Sequence, residues 1–384
     1  MSTSAENGES LFDRPLLYFF PMADPRLMQV KALSFITAAI KAGYRDIVIE
    51  APTGTGKSAL GATLCYWGDH VPPQVTDYGK TTQGGGYYLV TQKLLQDQLE
   101  RDLSKHKLAH SCSLKSSTEY ECQRYSSCKI GTDSGKCRSF GCPYRIRREA
   151  FENASLSITN YPYFMTEQTY AGQLSPRNVA VFDECHSVER QLLKFAEVVV
   201  SESTLEEWGL PIRRPPPIDS MRQFATWLSD KYRPVIAQRV DWMKSRIQVM
   251  DISETESKQY TALNNHLGKI NLGIDGMTTN PDNWVYWRES ETRNGGESCI
   301  AKPLQAADYA DILLGAVAYR IYMSAYPGFK RVFCESLGLD EGMVAWKELD
   351  SNFPVRNRPI YMGLIGSMSK RNFSETMPVM LKVL

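Results

Sequence analysis

The run Ile49-Glu50-Ala51-Pro52-Thr53-Gly54-Thr55-Gly56-Lys57-Ser58 constrains the fold of this chain more than any other stretch. It follows the apolar Asp46-Ile47-Val48-Ile49, which reads as a buried strand, and precedes Ser58 to Trp67, which reads as a helix. A Gly-rich turn between a strand and a helix aims successive backbone N–H groups, and the positive end of the helix, at one spot. Such a concavity suits phosphate. Thr53, Gly54, Thr55 and Gly56 line it, Lys57 is placed to reach the outer phosphates, and the Ser58 hydroxyl is placed to ligate Mg2+. The pattern ordinarily opens with Gly, and Ala51 holds that place here.

A second cluster complements the first. Val179-Ala180-Val181-Phe182-Asp183-Glu184-Cys185-His186 is an apolar strand ending in two carboxylates. Phosphoryl transfer needs a metal bridging phosphate oxygens and a group that orients the attacking water. Asp183 fits the metal role and Glu184 the water-orienting or base role, while His186 is placed to couple the site to neighbouring elements. Gly86 to Thr91, Ala154 to Thr159 and Ile321-Tyr322-Met323 read as further strands; Val30 to Ala42 and Lys93 to Leu103 read as helices. Strands alternating with helices predict an α/β fold, a parallel sheet with helices on both faces and ligands at the carboxyl ends of its strands.

After Ser187 the character changes. Glu189 to Cys299 is rich in helix formers and lacks strand alternation, so it reads as a mostly helical insertion, with Arg213-Arg214-Pro215-Pro216-Pro217 as a stiff connector. Trp284 and Trp287 are expected in a core rather than on an exposed platform. A net charge of +1 over 384 residues makes any nucleic-acid surface local. The polar N-terminus has no apolar core for a signal peptide, and no stretch approaches a membrane span. The expectation is a soluble intracellular protein of cytoplasm or nucleus, with no membrane partner.

Five of the nine cysteines fall between Cys112 and Cys142. In a reducing compartment such a cluster points to a metal site. Cys122, Cys128, Cys137 and Cys142 are spaced C-x5-C-x8-C-x4-C, and four thiolates hold either a [4Fe–4S] cluster or Zn2+. Zinc sites usually show two-residue knuckles, absent here, which tilts the reading modestly to iron–sulfur. Glu121 to Ala150 carries seven Lys/Arg (Arg124, Lys129, Lys136, Arg138, Arg145, Arg147, Arg148) against three acids, a local +4 suited to phosphates. Tyr125, Phe140 and Tyr144 are interleaved and could stack on bases, although a solvated helix face explains any single Arg equally well.

Taken in order, Pro25-Arg26-x-x-Gln29, the Glu50–Ser58 run, Asn160-Tyr161-Pro162-Tyr163-Phe164 and Asp183-Glu184-Cys185-His186 resemble the motifs of superfamily 2 DNA helicases of the iron–sulfur XPD/DinG-like group. The resemblance covers most of residues 15–384. It implies a RecA-like motor sheet, ATP as substrate with Mg2+, and single-stranded or forked DNA as partner, with 5′→3′ movement by analogy. It implies that Gln29 recognises adenine with support from Arg26, and that Thr91 to Gln98 touches the DNA backbone. Leu114 to Cys122 and Cys142-Pro143-Tyr144 look like the first and last ligand segments of the group's cluster domain, which assigns Cys122, Cys128, Cys137 and Cys142 to [4Fe–4S] and leaves Cys112 out. The implied domains are motor domain 1 over 1–110, 146–188 and 303–340, an iron–sulfur insertion over 111–145, a helical arch-like insertion over 189–302, and the start of motor domain 2 over 341–384.

Three departures from the group's pattern bear on the expected activity. Cys185 stands where the group usually has Ala, and Tyr326 replaces Thr in a Ser324-Ala325-Tyr326 coupling motif. The group's Gln-x-x-Gly-Arg-x-x-Arg type motif, whose arginines stabilise transition-state charge, does not occur in the sequence. The chain alone is therefore expected to bind Mg-ATP and DNA but to turn over feebly. The alternative is an ATP- and DNA-binding iron–sulfur module, or a split subunit that needs a second polypeptide supplying motor domain 2.

Overall fold

The computed structural model describes residues 15–104, 110–122, 125, 128–134, 137, 141–171, 174–212, 215, 217–249, 252–290, 296–351, 366–367 and 369–383. Arg124, Lys136, Arg138, Phe140, Arg213, Arg214, Pro216 and the Asn352–Pro354 stretch lie outside these residues. Residues up to Asp350 form one compact unit and 351–384 form another.

The first unit opens with α1 (Leu27–Lys41), β1 (Asp46–Glu50), α2 (Lys57–His70), β2 (Gln83–Val90), α3 (Lys93–Ser104) and β3 (Ser111–Ser113). The thiol-rich segment holds α4 (Cys128–Asp133) and α5 (Pro143–Glu152), followed by β4 (Leu156–Asn160), α6 (Tyr161–Thr166), β5 (Arg177–Asp183) and α7 (Val188–Ala196). The long insertion then contributes β6 (Val198–Ser201), α8 (Glu202–Glu207), α9 (Met221–Trp227), α10 (Arg233–Gln248), α11 (Glu254–Thr279), β7 (Trp284–Ser290) and β8 (Glu297–Pro303). The chain returns through α12 (Asp311–Leu314), β9 (Val317–Ser324), α13 (Lys330–Leu337) and β10 (Val344–Glu348). In the second unit, α14 (Phe373–Val383) is the one helix among the described residues, and its Thr376 hydroxyl donates to the Ser367 carbonyl at 3.0 Å.

Seven strands form one sheet in the order β10-β1-β9-β5-β2-β4-β3, and each neighbouring pair is parallel. Both faces are covered, as the apolar runs require. On β2, Tyr87 and Leu89 enter one core while Tyr88 and Val90 enter the other. The first core continues without a break into α7 and α9–α11, so the long insertion packs onto one face of the sheet. Register brings Glu50 level with Ser324, Asp183 with Met323, and Val90 with Asn160. The P-loop, the two carboxylates and Ser324 therefore share one edge.

The insertion is not wholly helical. β6, β8 and β7 form a three-stranded antiparallel sheet inside it. The inward positions of β8 are Cys299, Ala301 and Pro303. Small residues and a proline carry little hydrophobic contrast, which is why the alternation is faint in the sequence. Trp284 is buried as expected, whereas Trp287 at the edge of this sheet is 38% exposed.

The end of the first unit also falls later than the motifs imply. β10 pairs with β1 in full register from Asp46↔Val344 to Glu50↔Glu348. Phe333, Cys334 and Leu337 of α13 enter the first core. Residues 341–350 thus extend the first sheet instead of opening a new domain.

The opposite edge of the sheet is closed by paired charges. Arg320, the fourth residue of β9, grips Asp46 of β1 with two hydrogen bonds, 2.7 and 2.6 Å, and also reaches Asp77 at 2.6 Å. Tyr322 donates to Asp46 at 3.0 Å, and Arg45 pairs with Asp77 at 2.9 Å. Arg177, fully buried at the start of β5, donates to the carbonyls of Phe151, Glu152 and Ala154, where α5 ends. A buried guanidinium on the exposed carbonyls of a helix end is favourable both as a hydrogen bond and against the helix dipole.

Candidate nucleotide site

The P-loop has the backbone its composition predicts. Gly54 and Gly56 adopt φ of 85° and 88°, a region that side chains disfavour. Gly56 caps α2 in the left-handed conformation, and a Cβ there would fall 2.3 Å from the Gln29 amide nitrogen. The first turn of α2 exposes Ser58, while Thr55 is buried and donates to the Pro52 carbonyl. Thr53 is exposed on the loop. Lys57 Nζ donates to the Ala51 carbonyl at 3.4 Å and lies 3.6 Å from Glu184 Oε1.

Arg26 and Gln29 sit at the start of α1, where their spacing makes a helix cap. The Arg26 N–H donates to Gln29 Oε1 at 2.8 Å, and Gln29 Nε2 donates to the Gly56 carbonyl at 3.3 Å. The Arg26 guanidinium donates to the Gly54 carbonyl. Gln29 is buried behind the loop, so the pair braces the P-loop from α1.

Asp183 and Glu184 meet this loop. Asp183 is pushed up to about 6, first by burial and then by the Glu184 charge, with Lys57 and a hydrogen bond from Tyr88 pulling the other way. Its Oδ1 accepts the Glu184 N–H at 3.0 Å, its Oδ2 accepts the Tyr88 phenol at 3.1 Å, and its carbonyl accepts the Tyr161 phenol at 2.8 Å. Glu184 has φ 51°, and no other described non-glycine residue has positive φ. Local strain at a half-buried carboxylate beside a P-loop is the kind of outlier that accompanies function. His186 Nδ1 lies 2.8 Å from Ser324 Oγ and 3.4 Å from Glu184 Oε2, and Ser324 Oγ donates to Glu184 Oε2 at 3.5 Å. The Ala51 N–H donates to the Ser324 carbonyl at 2.8 Å, which completes a ring of contacts from P-loop to carboxylates to β9.

Sequence reasoning missed Tyr88 and Tyr161 as holders of Asp183. The signal for Tyr88 was a polar aromatic in a strand otherwise fit for complete burial, opposite a glycine inside a helix. Gln96, expected within a backbone-contacting segment, instead turns inward and binds Ser113, the Leu114 carbonyl and Asn160. Leu94 and Leu95 of the same segment are exposed.

Among the described residues no three His, Cys, Asp or Glu side chains are drawn close enough to hold a metal ion. The electrostatics of the segment still couple the thiols to one another. Cys128 is pushed up to about 11 by burial and by the thiols of Cys142, Cys137 and Cys122. Cys112 stands apart in β3, where its charged neighbours are Arg147 and Glu100. Much of the local positive charge is paired internally. Arg147 bonds Glu100 and the Ser113 carbonyl, Arg148 bonds Glu152, Glu167 and Tyr144, and Lys129 pairs with Asp133. Tyr144 packs against Tyr120 and shares a 2.8 Å hydrogen bond with Tyr163, so it serves packing here. Beside these groups lies a cleft of about 570 Å3, lined in part by Lys93, Lys129, Tyr144, Arg148, Asn264 and Asn265.

Residues 22–205 match the family described as the res subunit of type III restriction enzymes. A solved XPD helicase superposes with a TM-score of 0.52 at 16% identity, over 85% of this chain and 63% of that one. The chain shares the fold of that XPD helicase. An apo XPD gives 0.47 at 12% identity over 84% and 57% of the two chains, and a truncated XPD gives 0.45 at 13% over 85% and 100%. This chain spans 63% of the first XPD helicase. A search of curated proteins finds no match. No described helix is long and apolar enough to cross a membrane.

Proposed function

We propose that this chain is the nucleotide-binding motor portion of an ATP-dependent DNA helicase, coupling ATP binding and hydrolysis to movement along a single strand, 5′→3′ by analogy with its group. The observation that carries the reading is the meeting of Lys57 with Asp183 and Glu184 at one sheet edge, around a P-loop with open N–H groups. Arg26, Gln29, Thr53, Gly54, Thr55 and Gly56 would hold the nucleotide, and Ser58 and Asp183 would hold Mg2+. Bound Mg2+ supplies neutralisation of phosphate oxygens. Lys57 adds a second positive charge, and Glu184 orients the attacking water. The Glu184–His186–Ser324 contacts then link the state of that carboxylate to β9.

Cys122, Cys128, Cys137 and Cys142 fit a [4Fe–4S] cluster in donor chemistry, since four thiols fall within one 21-residue stretch of sequence. The cluster's role would be structural. The adjoining cleft offers Tyr144, Asn264 and Asn265 to the bases of a single strand, while its Lys93, Lys129 and Arg148, paired with Glu119, Asp133 and Glu152/Glu167, would have to exchange those partners for phosphates.

The test is ATP hydrolysis by the full chain with and without single-stranded DNA, beside nucleotide binding and iron content. Lys57→Ala should lower turnover by roughly 10²–10³, the loss typical of one charge-stabilising donor. Iron near four atoms per chain would secure the cluster. Absence of Mg2+-dependent nucleotide binding by the wild type would overturn the reading. Binding without hydrolysis, restored on mixing with a second motor lobe, would favour a split subunit.

A further inference from the structure

We infer that Tyr88 is a positioning residue for the Ser58–Asp183 pair, a phenol built into the sheet to hold the expected Mg2+ ligands in place. The inference rests on the reading of that pair given above and names a residue outside the motifs.

Three observations carry it. Tyr88 lies on β2 beside Val181 of β5, so its ring emerges on the face that α2 covers. The ring is fully buried, and its hydroxyl donates to Asp183 Oδ2 at 3.1 Å with the Ser58 hydroxyl as its second polar neighbour. Helix α2 makes room for it: a Cβ at Gly61 would sit 2.3 Å from the Tyr88 ring. A glycine in the middle of a helix carries a conformational penalty, and here it is the condition for the ring's entry.

A buried phenol must find some partner, and that alone would explain one hydrogen bond. It does not explain the choice of partner. Among the described residues, Tyr88 donates the one side-chain hydrogen bond to the Asp183 carboxylate, whose other oxygen is fixed by the Glu184 N–H. The carboxylate plane is thus set from both ends. Removing a hydrogen bond that orients a ligating carboxylate typically costs about 10- to 100-fold in metal affinity.

The experiment uses the full chain with a fluorescent ADP, titrated with Mg2+ and also bound in EDTA. In Tyr88→Phe the Mg2+ concentration at half-saturation should rise about 10- to 100-fold, while metal-free ADP affinity stays within about twofold. In an Asp183→Asn background, Tyr88→Phe should add almost nothing, because both changes break one contact. Gly61→Ala, which displaces the ring but keeps the phenol, should reproduce the Mg2+ defect and carries the test if Tyr88→Phe does not fold. Unchanged Mg2+ half-saturation in the variants, or an equal loss with and without Mg2+, overturns the inference while the functional reading stands. If the wild type shows no Mg2+-dependent binding, the functional reading falls and takes this inference with it.

Discussion

The two edges of the parallel sheet use the same strands for opposite purposes. At the amino edge, Asp46 of β1 and Arg320 of β9 are locked in a two-pronged pair, with Tyr322 and Asp77 completing the set. At the carboxyl edge, the same two strands end at Glu50 and Ser324, beside a lysine and carboxylate 3.6 Å apart and a strained Glu184. One edge pairs its charges in close contact; at the other, Lys57 and Glu184 stand 3.6 Å apart. The difference separates groups that hold the sheet together from groups free to meet a ligand.

The contrast is most directly broken at Asp46. Asp46→Ala removes the main partner of a buried guanidinium and should destabilise the protein by about 3–5 kcal/mol in denaturant titration. ADP affinity of the folded fraction should stay unchanged; a specific loss of affinity would mean that the edges are not separable. Glu184→Asn sharpens the comparison from the other side. Asn tolerates the left-handed conformation, so the variant should gain up to about 1 kcal/mol in stability while losing ATP turnover. A loss of stability would show that the Glu184 contacts outweigh its backbone strain. The smallest effect belongs to Asp77, which burial pushes up but which Arg320 and Arg45 hold below the usual carboxylate range. A depressed carboxylate contributes stability above its unfolded pKa, near 3.9, and loses it as pH falls through the folded value. Thermal melts should therefore show an acid-side decline below about pH 4 that is shallower in Asp77→Asn, by less than about 1 kcal/mol because Asp77 is half-exposed.

The carboxyl edge was legible in the sequence and the amino edge was not. Lys57, Ser58, Asp183 and Glu184 lie within a few residues of strand ends, and local spacing suffices to bring them to one side. Asp46 and Arg320 are 274 residues apart, and only the register of β1 with β9 makes them partners. The strands β1, β2, β4, β5 and β9 announced themselves by continuous apolar runs. Strands β6 to β8 did not, because Cys299, Ala301 and Pro303 offer little contrast to their neighbours. β10 was masked by motif analogy, although its pairing with β1 places it in the first sheet. Tyr88 left only the trace of a polar aromatic in a buried strand, since its meaning depends on Gly61 across a helix–sheet contact.

Arg177 binds the last carbonyls of α5, and α5 begins one residue after Cys142. Six residues beyond Arg177, the same strand delivers Asp183. The thiol-bearing segment is therefore no detachable accessory. Excising it together with α5 would strand a guanidinium in the hydrocarbon interior, directly upstream of the acids, so a shortened version of this protein would have to replace Arg177 before it could fold.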